Sequence, residues 1–143
     1  MLLARARLLV ATLWAGSLWT VALVAQMLFA SFDRAMAGSV AAPMFRLESY
    51  LSLGCAAVLL VLLALDAGMA RRRTVLRLVL AMLACAVAMQ FVVQPMMAAL
   101  RESGPMDAAL RARFGMLHGV AGVIYLAESV LAAFLLIKNT TDT

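Results

Sequence analysis

Four stretches of this chain are too apolar to fold in water. Leu8–Phe29, Ser49–Leu65, Leu78–Gln94 and Phe114–Ile137 carry no Lys or Arg between them, and a single acid, Glu128, interrupts the last. A transmembrane helix needs about 20 mostly apolar residues. A helix that is apolar on all sides has no face to offer water. Each run therefore predicts a membrane-spanning helix, with spans at about 8–29, 48–66, 76–97 and 114–137. The connections are short, which predicts an all-α, antiparallel four-helix bundle running up-down-up-down. The chain reads as a single transmembrane domain over 1–143, since no polar stretch is long enough for a soluble domain. Hydrophobic residues make up 66% of the chain and charged ones 13%, against about 45–50% and about 25% in soluble domains. The lipid bilayer is the partner this composition requires.

The net charge of +5 does not point to nucleic acid. The basic residues stand at the ends of apolar runs, where they set topology. One side of the bundle collects Arg5, Arg7, Arg71, Arg72, Arg73, Arg77 and Lys138. The other collects Arg34, Arg46, Arg101, Arg111 and Arg113, diluted by Asp33, Glu48, Glu102 and Asp107. This bias predicts a multi-pass protein with both termini in the cytoplasm. The first run is longer than the about 7–15 residues of a signal-peptide core, so it reads as a retained span.

Polar side chains inside the spans are the candidates for function. Gln26 ends the first span. The region Ser31–Pro43 reads as a loop, so Arg46 and Glu48 open the second span. Gln90 and Gln94 share a face of the third, which Pro95 then disrupts or ends. His118 begins the fourth. Together Gln26, Arg46, Glu48, Gln94 and His118 form an expected outer polar ring, with Gln90 one turn deeper. Tyr125 and Glu128 form a deeper layer. Glu128 lies about 22 Å along the helix from Arg113, where an ionised group costs perhaps 2.5–3.5 kcal/mol. Gly115, Gly119 and Gly122 on the same helix suit close helix packing. Cys55 and Cys85 stand alone in apolar runs and read as packing residues.

Catalytic and cofactor chemistry find little support. One histidine rules out bis-histidine haem ligation, and no zinc motif or nucleophile–base pair is present. Of the eleven methionines, several lie toward the His118 side, but none has tight ligand spacing, so they read as fillers rather than Cu(I) ligands. No metal, cofactor or catalytic residue is expected.

Leu13-Trp-Ala-Gly-Ser-Leu-Trp19, Met27-Leu-Phe29, Gln94-Pro95, Arg113-Phe-Gly-Met-Leu-His-Gly119 and Tyr125-Leu-Ala-Glu128 together resemble a small bacterial four-span inner-membrane family of unknown function. That family is related to the eukaryotic transmembrane protein 205-like proteins. The resemblance implies a four-helix membrane domain and no established activity. Gln26 departs from the pattern, standing where relatives carry a proline. The leading expectation is a non-enzymatic membrane protein, either a homo-oligomer or an accessory subunit of another membrane protein. The alternative is a small transporter or exporter of a cation or metal complex that uses the intramembrane Glu128.

The orientation is checked by fusing a reporter active only in the periplasm to the C-terminus. The fusion should be inactive, and high activity would reverse the assignment of sides.

Overall fold

The computed structural model describes residues 1–103 and 107–140. Helix α1 is Leu2–Ser31 and α2 is Arg34–Leu65. The third rod is built from α3 (Arg72–Ala88), a π-helical turn (Met89–Val93) and α4 (Gln94–Glu102). Helix α5 is Ala108–Thr140. The four rods have 30, 32, 31 and 33 residues. At about 1.5 Å per residue each is roughly 45–50 Å long, so the ends pass beyond a hydrocarbon core of about 30 Å into the headgroups. The protein is a multi-pass, all-α membrane bundle, as its apolar runs require.

Neighbours in the bundle follow a closed ring, α1 to α2 to α3 to α5 and back to α1. The core explains the ring. Ala11, Trp14, Ala15 and Leu18 face inward from α1. Cys55, Ala56, Leu59 and Leu63 do so from α2, Val75, Val79 and Met82 from α3, and Ala132 and Leu135 from α5. The spacings of three and four residues keep one stripe of each helix on its neighbours. The outward stripes stay apolar: Leu9, Leu13, Leu23, Val123, Leu126, Val130 and Phe134 are all exposed. Lipid covers them, and tight packing with a few buried polar contacts holds the helices together.

Two expectations about helix ends are corrected. The loop expected over Ser31–Pro43 is a tight turn at Phe32 and Asp33. The Asp33 carboxylate accepts the backbone N–H of Ala35 and of Met36, each at 3.0 Å, and so caps α2. Gly38 and Pro43 then lie inside α2, because a membrane helix tolerates proline where neighbours compensate. The second helix thus begins well before residue 48.

Pro95 also fails to end its helix. The backbone N–H of Gln94 reaches back to the carbonyl of Met89. This wider turn re-registers the chain, so proline falls in the first turn of α4, where its missing N–H costs nothing. The turn signal Gly104-Pro105 lies outside the described residues. After it, Asp107 Oδ1 accepts the backbone N–H of Leu110 at 2.7 Å and starts α5.

At the basic end, Arg7 of α1 forms an ion pair with Asp66, the residue that ends α2. Arg7 is 2% exposed and Asp66 27%. The Arg72 Nε–H donates to the carbonyl of Leu63 at 2.8 Å, tying α3 to the same corner. Removing one member of a buried pair leaves its partner uncompensated. Asp66→Asn should therefore lower stability in mild detergent by about 1–3 kcal/mol. Arg7→Met combined with Asp66→Asn should recover most of that loss. Additive losses, measured by thermal unfolding, would show that the pair does not act as a unit.

A buried carboxyl cluster as candidate functional site

Helices α1, α2 and α5 bring a small polar cluster into the apolar interior. Trp14 stands on the inner stripe of α1 and is fully buried. Its indole N–H needs a partner there and donates to Ser52 Oγ on α2 at 2.7 Å. The Ser52 hydroxyl donates in turn to Glu48 Oε1, one turn earlier on α2, at 2.6 Å. Ser52 therefore accepts from one helix and donates to its own, so the chain Trp14 to Ser52 to Glu48 is directional.

Glu128 enters from α5, with 2% of its surface exposed. Trp14, Ser52 and Glu48 are its neighbours in the interior, but the Trp14 N–H and the Ser52 hydroxyl are given to Ser52 and to Glu48 rather than to Glu128. Its Oε1 is buried with no hydrogen-bond partner. Glu48 is 5% exposed. Tyr125, one turn before Glu128, donates its hydroxyl to the carbonyl of Leu18 at 2.6 Å. The edge of its ring meets Phe45 of α2, with centroids 5.5 Å apart and planes at 86°. One turn of α5 thus locks to both α1 and α2. Cys85 on α3 is half-buried and Cys55 on α2 is buried, both as free thiols. Among the described residues, no Lys, Arg or His partners either acid.

The layering expected from the sequence is corrected at two residues. Arg46 and Glu48 do not open their helix, which starts at Arg34; Arg46 is exposed on its flank, and Glu48 is the deeper of the two. It lies about 21 Å along α2 from Arg34, and so joins Tyr125 and Glu128 rather than an outer ring. Trp14 and Ser52 are the members that sequence reasoning missed as polar links. One signal was present: Glu48 and Ser52 are four residues apart and share a helical face.

The other candidates are not in the cluster. Gln26 and Arg46 are exposed, and Gln94 is half-buried. Gln90 is half-buried on the π-helical turn, with a buried Oε1 that has no hydrogen-bond partner. His118 is exposed and stacks on Phe114, with centroids 6.5 Å apart. The guanidinium of Arg101 lies 5.3 Å from the centre of the Phe114 ring, a cation–π contact that joins α4 to α5. Gly115, Gly119 and Gly122 are exposed, and a methyl group added at any of them meets no atom within 4 Å. They do not pack against the chain's own helices.

The model of one family, described as Domain of unknown function (DUF4149), matches residues 8–105. The chain belongs to this family. The DUF4149 match holds Trp14, Glu48 and Ser52, while Tyr125 and Glu128 lie beyond it on α5. No curated protein matches the chain, and no solved structure does.

Replacing Ser52 by Ala strips the Trp14 N–H and the Glu48 carboxyl of a shared partner, and buried groups left unpaired cost about 1–3 kcal/mol. Ser49→Ala, on the same helix, removes only a bond to the chain's own Phe45 carbonyl. It should stay near the ~0.6 kcal/mol average for hydrogen bonds in membrane proteins. Thermal unfolding of both variants in one detergent checks the contrast. Equal losses would contradict the cross-helix role of Ser52.

Proposed function

We propose that the protein is a non-enzymatic membrane protein that binds a cation at the Glu48–Glu128 carboxyl pair and exchanges it for protons. One observation carries this reading. Two acids from different helices are buried in the bundle interior as neighbours, and among the described residues no cationic side chain compensates them. Two ionised carboxylates side by side in an apolar site repel and are poorly solvated. Protons or a bound cation relieve that cost, and a site that accepts either in turn is a site for exchange. The short hydrogen bonds of Trp14, Ser52 and Tyr125 hold the acids in place without neutralising them. No catalytic residue, cofactor or resident metal belongs to this reading.

In the same reading, both termini lie in the cytoplasm of a bacterium. The end bearing Arg5, Arg7, Arg71–Arg73, Arg77 and Lys138 rests on the inner leaflet of the inner membrane. The last span supports kinship with the transmembrane protein 205-like proteins, through Arg113-Phe-Gly-Met-Leu-His-Gly119 and Tyr125-Leu-Ala-Glu128. A second reading, assembly into a homo-oligomer or with another membrane protein, is favoured by the outward Gly115, Gly119 and Gly122. These leave room for a second helix to approach closely.

The exchange reading is tested in proteoliposomes with an acidic interior and a trapped pH dye. Potassium, sodium, magnesium and octyltrimethylammonium are added outside in turn. At least one should drive protons out of the vesicles. Glu128→Gln and Glu48→Gln should each slow that flux by at least about tenfold, equivalent to about 1.4 kcal/mol. If none of the four moves protons through the wild-type protein, the reading falls.

A further inference from the structure

The arginines at the start of α3 point in two directions. Arg72 is half-buried and gives its Nε–H to the carbonyl of Leu63 at 2.8 Å. Arg73 and Arg77 are exposed, and among the described residues neither has a hydrogen-bond or ion-pair partner. Four residues apart, they stand one above the other on the outer face of α3, about 6 Å apart along its axis. Asp66, the carboxylate that precedes them at the end of α2, is already held by Arg7. Positive charge at this spot is therefore left uncompensated by the chain.

The same face continues into the bilayer without a polar group. Leu80, Ala84, Val87 and Phe91 follow Arg77 at helical spacing, and all four are exposed. From Arg77 to Val87 the helix rises about 15 Å, the depth of one leaflet in a hydrocarbon core about 30 Å thick. Ala84, the shortest of the four side chains, leaves a shallow depression between Leu80 and Val87.

We propose that this face of α3 binds one anionic phospholipid. The headgroup phosphate lies between the Arg73 and Arg77 guanidinium groups, and an acyl chain lies along Leu80, Ala84 and Val87. Charge complementarity selects this occupant. The planar fork of arginine matches phosphate oxygens two at a time. A zwitterionic lipid carries its own cation beside the phosphate and leaves the arginines uncompensated. A soluble anion matches the arginines and gains nothing from the apolar stripe below them. An anionic lipid meets both halves at once. The inference sharpens the contact of the basic end with the membrane, and it holds whether or not Glu48 and Glu128 exchange cations.

The test uses the full chain in a mild nonionic detergent. Binding of fluorescent phosphatidylglycerol, and of phosphatidylcholine with the same label, is followed by anisotropy. The phosphatidylglycerol should bind saturably and at least about tenfold more tightly than the phosphatidylcholine. Arg73→Gln combined with Arg77→Gln should weaken it at least about tenfold. Arg34→Gln combined with Arg46→Gln removes as much charge from exposed positions elsewhere and should change it by less than about twofold. Ala84→Trp, which fills the depression, should weaken it at least about threefold. Excess inorganic phosphate, at an ionic strength matched with chloride, should not displace the lipid. Equal affinity for the two lipids overturns the proposal. So do equal losses in the two double variants, which would reduce the effect to net charge. Unchanged binding in Ala84→Trp puts the acyl chain elsewhere, and displacement by phosphate makes the site one for a soluble anion; either result overturns it. Lipid binding is measured without ion flux, so a failure here is distinct from a failure of the exchange reading.

Discussion

Two carboxyl groups, Glu48 and Glu128, share an apolar interior with no cationic side chain between them among the described residues, and the rest of the bundle is arranged around that constraint. In water such a pair would be unremarkable in energy. Inside a membrane bundle it is expensive, and the surrounding structure makes it possible. Trp14 crosses from α1 to Ser52 on α2 at 2.7 Å, and Ser52 reaches Glu48 at 2.6 Å. Tyr125 fixes the turn of α5 that carries Glu128 by bonding to the carbonyl of Leu18. Three of the four rods are thereby connected by polar contacts at one depth.

A second polar corner lies toward the basic end, where Arg7 meets Asp66 and Arg72 meets the carbonyl of Leu63. Its character differs. Arg7 and Asp66 carry opposite charges and neutralise one another, so the corner reads as structural, with the Arg7 Nε–H buried and without a hydrogen-bond partner. The deep cluster holds two acids and, among the described residues, no base to match them. The same bundle therefore contains one polar site whose charges cancel and one that calls for a proton or a cation.

Much of this was legible in the sequence, and the gaps have physical causes. The four spans followed from uninterrupted apolar runs that no soluble fold could bury. Glu128 stood out because an acid in such a run has few explanations. Ser52 did not stand out, because a serine in an apolar helix commonly bonds its own backbone, as Ser17 and Ser49 do here. Whether it reaches across to Trp14 depends on the rotation of two helices, which no local pattern encodes. Glu48 was placed too near the surface because Asp33, Gly38 and Pro43 resemble a loop. Asp33 in fact caps a helix that then runs through both later residues. Pro95 likewise resembles a stop, and the π-helical turn before it absorbs the mismatch.

The most direct test of the account is whether Glu48 and Glu128 behave as one unit. Thermal stability is measured in one mild detergent for the wild type, Glu48→Gln, Glu128→Gln and the double variant. Residues in a shared polar network show interaction energies of about 0.5 kcal/mol or more. The account predicts a coupling of at least that size between the two substitutions. Effects that add to within about 0.3 kcal/mol would mean that the acids do not sense one another, and the central claim would fail.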